Sequence, residues 1–298
     1  MNNDMEKGFR AGFVAIIGAP NAGKSTLLNK VLGQKISITS KKPQTTRDRI
    51  LGVVERPGAQ VVFVDTPGIH KARSLLNRKI VDQALSAVQD VDALLLLIDV
   101  SSRDPESEGI IVEQLSKQAK PVVLALNKID LVPAEAILPV IREYADLFEF
   151  KAVIPISART GAQIPELLDE VEKCLPLGPR LFPEDTLTDV SEKFIASEMI
   201  REKVFRLTGM EIPYHIAVTV DSFKTQSKLI TIHATIHVDR ESQKGIIIGK
   251  GGSMLKKIGE QARMDIERLT GMKILLRLFV RVTKNWSRDE HALKEFGY

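Results

Sequence analysis

The chain has 298 residues, 44% of them apolar and 27% charged, with a net charge of +4. Those values exclude collagen-like, mucin-like and mainly disordered classes, and the length predicts two domains. The single cysteine, Cys174, excludes an internal disulfide and any Cys-rich zinc cluster.

No apolar run approaches the roughly 18–20 residues of a membrane span. Lys7 and Arg10 before the apolar stretch Ala11–Ala19 imitate a secretory leader. Asp4 and Glu6 sit in the same flank, however, and the stretch runs straight into a glycine-lysine loop, so a cytoplasmic chain is expected. Charge is unevenly placed. Residues 1–185 hold 23 Lys/Arg against 24 Asp/Glu, residues 186–298 hold 19 against 14, and residues 244–284 hold 10 against 3. A late basic patch of this kind reads either as a solvated helix face or as a nucleic-acid surface.

Along residues 12–175, apolar runs alternate with segments of helical spacing. The predicted strands are Phe13–Ile17, Ile50–Val54, Val61–Val64, Ala93–Val100, Val122–Leu126 and Ala152–Ile156. The predicted helices are Lys24–Leu32, Leu76–Val88, Gly109–Gln118, Ala134–Phe148 and Ile164–Leu175. This alternation predicts an α/β domain with a mostly parallel sheet covered on both faces. Pro176, Pro179 and Pro183 then mark a linker. Beyond it a helix (Val190–Thr208), two strands (His215–Asp221 and Leu229–Val238), a glycine loop, a helix (Ser253–Thr270) and a strand (Ile274–Thr283) predict a small α+β domain. The expected boundaries are 8–176, 177–189 and 190–298.

Gly18-Ala19-Pro20-Asn21-Ala22-Gly23-Lys24-Ser25 fits G-x-x-x-x-G-K-S/T between a strand and a helix. Glycines let the backbone wrap a phosphate with its N–H groups inward, and the helix N-terminus adds a positive dipole. Lys24 would reach the β- and γ-phosphates, Ser25 would ligate Mg²⁺, and Thr26 continues the cradle. Asn127-Lys128-Ile129-Asp130 follows the fifth strand. The Asp130 carboxylate can accept from guanine N1–H and the 2-amino group, whereas adenine offers no such donors. The Lys128 stem can cover the ring, and Asn127 can tie the base to the phosphate loop. Asp65-Thr66-Pro67-Gly68 ends the third strand, with Asp65 toward Mg²⁺ and the Gly68 amide toward the γ-phosphate. Ser157-Ala158-Arg159 follows the sixth strand, where the Ala158 amide can meet guanine O6. A hydroxyl from Thr46, favoured over Thr45, would complete the Mg²⁺ shell. The expected catalytic groups are therefore Lys24, Thr46 and Gly68.

These motifs in this order resemble the translation-factor-related GTPases, whose six-stranded sheet has one antiparallel strand. Where many small GTPases place a water-orienting glutamine, this chain has Ile69, and an apolar residue cannot orient water. In some relatives with that substitution, a phosphate-loop asparagine matched here by Asn21 helps bind K⁺. The resemblance thus raises K⁺ dependence and slow basal turnover as expectations.

In the second domain, Ile248-Gly249-Lys250-Gly251-Gly252 is followed by Leu255 and Ile258. This resembles a type II KH domain, in which a G-x-x-G loop clamps about four single-stranded nucleotides. Lys250 would face phosphate, and Lys256 and Lys257 would extend the positive field. Phe279, Trp286 and Tyr214 read as packing residues rather than base-stacking platforms. The segments Gly178–Asp185, Ile200–Lys203, Glu211–Tyr214, Lys42–Ile50 and Trp286–Tyr298 resemble the bacterial Era family of GTPases. That resemblance implies a monomeric, GTP-switched factor of small (30S) ribosomal subunit assembly that binds 16S rRNA near its 3′ end. It also implies GTP/GDP and Mg²⁺ as cofactors and peripheral association with the inner membrane. The alternative is a membrane-surface signalling GTPase whose basic C-terminal domain binds anionic lipid.

Overall fold

The computed structural model describes residues 8–40, 47–69, 86, 88–209, 216–284, 286, 289, 293 and 296. Thr45, Thr46, Tyr214 and most of the predicted helix Leu76–Val88 lie outside the described residues.

The first unit holds a six-stranded sheet. Its strands are β1 (Arg10–Gly18), β2 (Ile50–Arg56), β3 (Ala59–Asp65), β4 (Ala93–Asp99), β5 (Val122–Asn127) and β6 (Ala152–Pro155), in the order β2-β3-β1-β4-β5-β6. All neighbours are parallel except β2 and β3. A two-residue turn at Pro57-Gly58 joins β2 to β3 and can only reverse the chain, whereas parallel neighbours need a crossover. Strands β3, β4 and β5 are buried at every residue, as continuous apolar runs between two helical layers should be. The described helices are α1 (Lys24–Leu32), α2 (Pro105–Leu115), α3 (Ile137–Leu147) and α4 (Ile164–Lys173). Helix α2 starts at an Asp104 cap with Pro105 in its first turn, so it begins four residues before the apolar periodicity does.

The proline-punctuated stretch is fastened to this unit. The buried Gln60 amide accepts from the Leu181 and Phe182 amides at 2.8 and 2.9 Å and donates to the Phe182 carbonyl at 2.8 Å. Further along, Val53 N–H donates to the Leu187 carbonyl at 2.9 Å, and Thr188 Oγ1 donates to the Leu51 carbonyl at 2.6 Å.

The second unit begins at Val190 and includes the described part of the segment that follows α1, residues 35–40. It comprises α5 (Glu192–Leu207), β7 (Ile216–Gln226), β8 (Leu229–Val238), α6 (Glu241–Ile248), α7 (Ser253–Thr270) and β9 (Lys273–Val282). Strands β7 and β8 are antiparallel, and β8 and β9 are parallel. Helix α6 is absent from the sequence expectation, which has only a glycine loop here. Gly245 and the β-branched run Ile246–Ile248 are poor helix formers. The helix forms because Gln243 accepts from the Arg240 amide at its start and Ile247 is fully buried.

Two aromatic expectations separate. Trp286 is buried, with Phe296 edge-on at 5.4 Å. Phe279 is a correction: it is 56% exposed. It lies on the face of β9 turned away from α7, and alternation along a strand puts every second residue there.

Candidate functional site

Four loops of the first unit converge at the C-terminal ends of adjacent strands, where open α/β sheets bind ligands. The strand register sets this convergence, pairing Ile16 with Asp65, Gly18 with Leu97, and Asp99 with Asn127.

The phosphate loop leaves β1 at Gly18 and enters α1 at Lys24. Asn21 has φ +64° and Gly23 has φ +105°. A Cβ on Gly23 would stand 2.2 Å from Asn127 Nδ2, so glycine is required there by conformation and by contact. Lys24 is buried, and its Nζ donates to the Gly18 and Ala19 carbonyls at 3.0 and 2.9 Å. Burial lowers its pKa from 10.5 to about 8, with Asp65 opposing the shift. Ala22 is buried, and Ser25 and Thr26 lie half-buried in the first turn of α1.

Ser25 Oγ donates to Asp65 Oδ2 at 2.8 Å, which brings two hard oxygen donors together from a helix start and a strand end. This donor set suits Mg²⁺ bound through one or two protein oxygens plus phosphate. Thr66 Oγ1 pins the end of β3 to the Ile16 carbonyl at 2.8 Å, and the Ile69 amide donates to the Gly18 carbonyl at 3.2 Å. Gly68 lies against the phosphate loop, where a Cβ would meet Pro20 Cα and N at 2.8 Å. Ile69 is 1% exposed and belongs to the sheet core with Ile17 and Val64, so its side chain is committed to packing.

Asn127 is the structural centre of the second group of predicted site residues. Its Nδ2 donates to the Ala22 carbonyl at 2.7 Å, and its Oδ1 accepts from the Ala158 amide at 2.9 Å. One side chain thus joins the phosphate loop, the end of β5 and the loop after β6. The Ala158 hydrogen expected at guanine O6 is here given to Asn127. Asp130 accepts from Ser157 Oγ at 2.6 Å and pairs with Arg159 at 2.6 Å. The Ser157 hydrogen bond leads in holding this carboxyl below the ordinary carboxylate range. Lys128, at φ +69°, pairs with Asp99, a residue the sequence reading passed over. Asp99 closes an apolar strand and also accepts from Ser101 Oγ at 2.6 Å. A lone carboxylate ending a buried strand was the available signal.

In the second unit the loop Gly249–Gly252 links α6 to α7. Gly249, Gly251 and Gly252 have φ of +70°, +59° and +79°. A Cβ on Gly249 would meet Met254 at 2.8 Å, while Gly251 and Gly252 face open space. Lys250, Lys256 and Lys257 are exposed, and Ile248 is half-buried. Beside the loop runs a groove of about 510 Å³ between α7 and β9, lined by Gly252, Leu255, Lys256, Gly259, Arg263, Leu276 and Leu278 among others. Its β9 wall and Gly259 lay outside the sequence expectation, since only packing brings the strand beside the loop. His233 and His237 are four apart on β8, but no group of described residues could hold a metal through His, Cys, Asp and Glu alone.

A strand–loop–helix anion cradle, a Ser/Asp oxygen pair and an Asn-Lys-x-Asp base clamp on a six-stranded sheet define a P-loop GTPase. The second unit, with its G-x-x-G loop and parallel β8–β9 pair, defines a KH module. Residues 13–128 match the family model described as 50S ribosome-binding GTPase, and residues 211–287 match the KH domain model. The chain is 55% identical to GTPase Era of Geotalea uraniireducens, over 98% of this chain and 99% of the relative. It is 56% identical to GTPase Era of Geobacter metallireducens, over 97% and 98%. The crystal structure of an Aquifex aeolicus Era variant bound to GDP·AlF4⁻ superposes with a TM-score of 0.93 at 41% identity, covering 97% of this chain and 99% of that one. An Era structure in complex with MgGDPNP and nucleotides 1506–1542 of 16S ribosomal RNA gives the same values. The chain belongs to the Era family of GTPases: its activity is GTP hydrolysis, and it also carries a KH RNA-binding domain.

Proposed function

We propose that this protein is a GTP-switched assembly factor of the small (30S) ribosomal subunit that binds 16S rRNA near its 3′ end. The observation that carries the reading is the pairing, in one chain, of the strand–loop–helix and Asn-Lys-x-Asp motifs, brought together by Asn127, with a G-x-x-G groove. That pairing is supported by 41% identity over 97% of the chain to an Era structure bound to MgGDPNP and 16S rRNA nucleotides 1506–1542.

In this reading Gly18, Asn21, Ala22, Gly23, Lys24, Ser25 and Thr26 cradle the phosphates. Asn127, Lys128, Asp130, Ser157 and Ala158 hold guanine. Ser25, Asp65 and Thr46 would hold Mg²⁺, which neutralises phosphate charge when bound. Lys24 stabilises charge on the β- and γ-phosphates, and the Gly68 amide reads the γ-phosphate. Ile69 is locked into the core and orients no water, and basal turnover is slow. Asn21, at the exposed turn of the phosphate loop, is the candidate K⁺ contact. Ordering of the Thr46 and Gly68 segments by GTP biases the protein toward RNA binding, and hydrolysis releases the RNA. Ile248, Gly249, Lys250, Gly251 and Gly252 clamp the RNA backbone, with Lys256 and Lys257 alongside. The protein works as a monomer in the cytoplasm, with peripheral association at the inner membrane. No helix among the described residues is long and apolar enough to cross a membrane.

Binding of a short RNA copying the 16S 3′ end tests the reading, in the GTP-analogue and GDP states. A Lys250→Asp, Gly251→Asp double variant serves as control. Lys250 is exposed, and a Cβ on Gly251 would meet nothing within 4 Å, although Gly251 carries a positive φ. Tight GTP-state binding lost in the variant is the expected result. Binding indifferent to nucleotide and loop would overturn it and bring the lipid-surface alternative forward.

A further inference from the structure

Residues paired across a sheet share a face. On the face of the second sheet turned away from α7, β9 presents Lys273, Leu275, Arg277, Phe279 and Arg281, all exposed. Leu275 and Phe279 are 42% and 56% exposed. The register places Thr231 beside Leu275, His233 beside Arg277 and Thr235 beside Phe279. Lys224 on β7 pairs with Thr231 and adds a further cation. Among the described residues, Arg277 and Arg281 have no ion-pair partner. Asp221, an acidic side chain on this face, is engaged by the Thr219 and Thr235 hydroxyls at 3.1 and 2.7 Å. The His237 end is covered by the Phe296 ring at 4.5 Å. What stays open is an aromatic ring flanked by two arginines at same-face spacings of about 6.6 Å.

We propose that this face is a second RNA subsite, on which a base stacks on Phe279 while Arg277 and Arg281 hold the flanking phosphates. The inference rests on the RNA-binding reading above and extends it. A strongly cationic face with one exposed π-surface complements single-stranded RNA, whose bases stack on aromatic side chains and whose phosphates pair with arginine. Its position argues the same way. Strand β9 is one edge of the sheet, so its inward Leu276 and Leu278 line the groove while Arg277 and Phe279, one residue away, point outward. An RNA strand longer than the roughly four nucleotides a G-x-x-G loop clamps leaves the groove over that edge and meets Phe279.

The test uses the full chain and two single-stranded RNAs copying the 16S 3′ end, about six and about fourteen nucleotides long, on either side of the span the groove accounts for. Phe279→Ala should weaken the longer RNA about 10-fold and leave the shorter one unchanged, and Phe279→Trp should restore the loss. The Arg277→Gln, Arg281→Gln double variant should lower the salt slope for the longer RNA by about 1.4, from two lost phosphate contacts. Because Phe279 is exposed, an unchanged melting temperature is expected. Wild-type affinity of Phe279→Ala for both RNAs would overturn the subsite while leaving the G-x-x-G reading intact. Failure of the wild-type chain to bind either RNA would overturn both. Loss of binding only to vesicles of phosphatidylcholine and phosphatidylglycerol would reassign the face to lipid and overturn the proposal.

Discussion

At the scale of single residues, the nucleotide site depends on contacts with no slack. Gly23 combines φ +105° with a Cβ position 2.2 Å from Asn127 Nδ2. Gly23→Ala strains the backbone and displaces the side chain that joins three loops. It should weaken GTP-analogue binding about 100-fold, on the order of 3 kcal/mol, as titration calorimetry would read it. Lys24 makes a pH prediction. Its folded pKa of about 8 lies below the usual 10.5. Between those values the unfolded chain binds more protons, so this group's contribution to the stability of the nucleotide-free protein rises with pH across that window. In the proposed role of Lys24, nucleotide phosphates instead select the charged ammonium. Affinity should therefore be full below about 8 and fall as pH rises through it. Calorimetry near that pH in two buffers of different ionisation heat should show proton uptake on binding, and equal heats would refute the argument.

At the scale of elements, the segment after α1 is held by buried charge. Lys35 Nζ lies 2.5 Å from Glu202 Oε2 and 2.8 Å from Asp265 Oδ2. Lys203 pairs with Glu202 at 3.0 Å and also with Asp265. The Thr39 amide donates to Glu202 Oε1 at 3.0 Å. The Glu202 side chain has no exposure, so Glu202→Ala leaves Lys203 buried with half its partners. A loss of about 3–5 kcal/mol is expected, read as a lower urea midpoint. The pH dependence has a definite sign. Burial works to raise the Glu202 and Asp265 carboxyls, but Lys35 and Lys203 hold both below their ordinary values. The stability they supply is present above the ordinary carboxylate range and is lost as pH falls through the depressed values.

At the scale of the whole molecule, coupling between nucleotide and RNA must be reciprocal. If the GTP analogue tightens RNA binding about 10-fold, saturating RNA must tighten GTP-analogue binding by the same factor, about 1.4 kcal/mol. Filter binding in one direction and nucleotide competition in the other check this, and unequal factors would show that a third equilibrium intervenes. Hydrolysis in matched K⁺ and Na⁺ buffers addresses Asn21, with faster turnover in K⁺ expected and equal rates refuting the role.

Much of this was legible in the sequence because the chemistry is local. The phosphate cradle, the Asn-Lys-x-Asp clamp and the G-x-x-G loop each need particular residue types at neighbouring positions, and buried parallel strands need unbroken apolar runs. Tertiary structure alone decided the rest. Asp99 beneath Lys128, Asn127 between Ala22 and Ala158, and Glu202 with Lys35 are pairs from 29 to 167 residues apart. No local pattern records such distances. Helix α6 formed against weak propensity because Ile247 had a core to enter. Phe279 reads as a core residue in a strand of alternating apolar and basic side chains. Its register with Lys273, Arg277 and Arg281 already placed it in the basic set, and the packing of α7 on the other face of β9 left that set, ring included, in water.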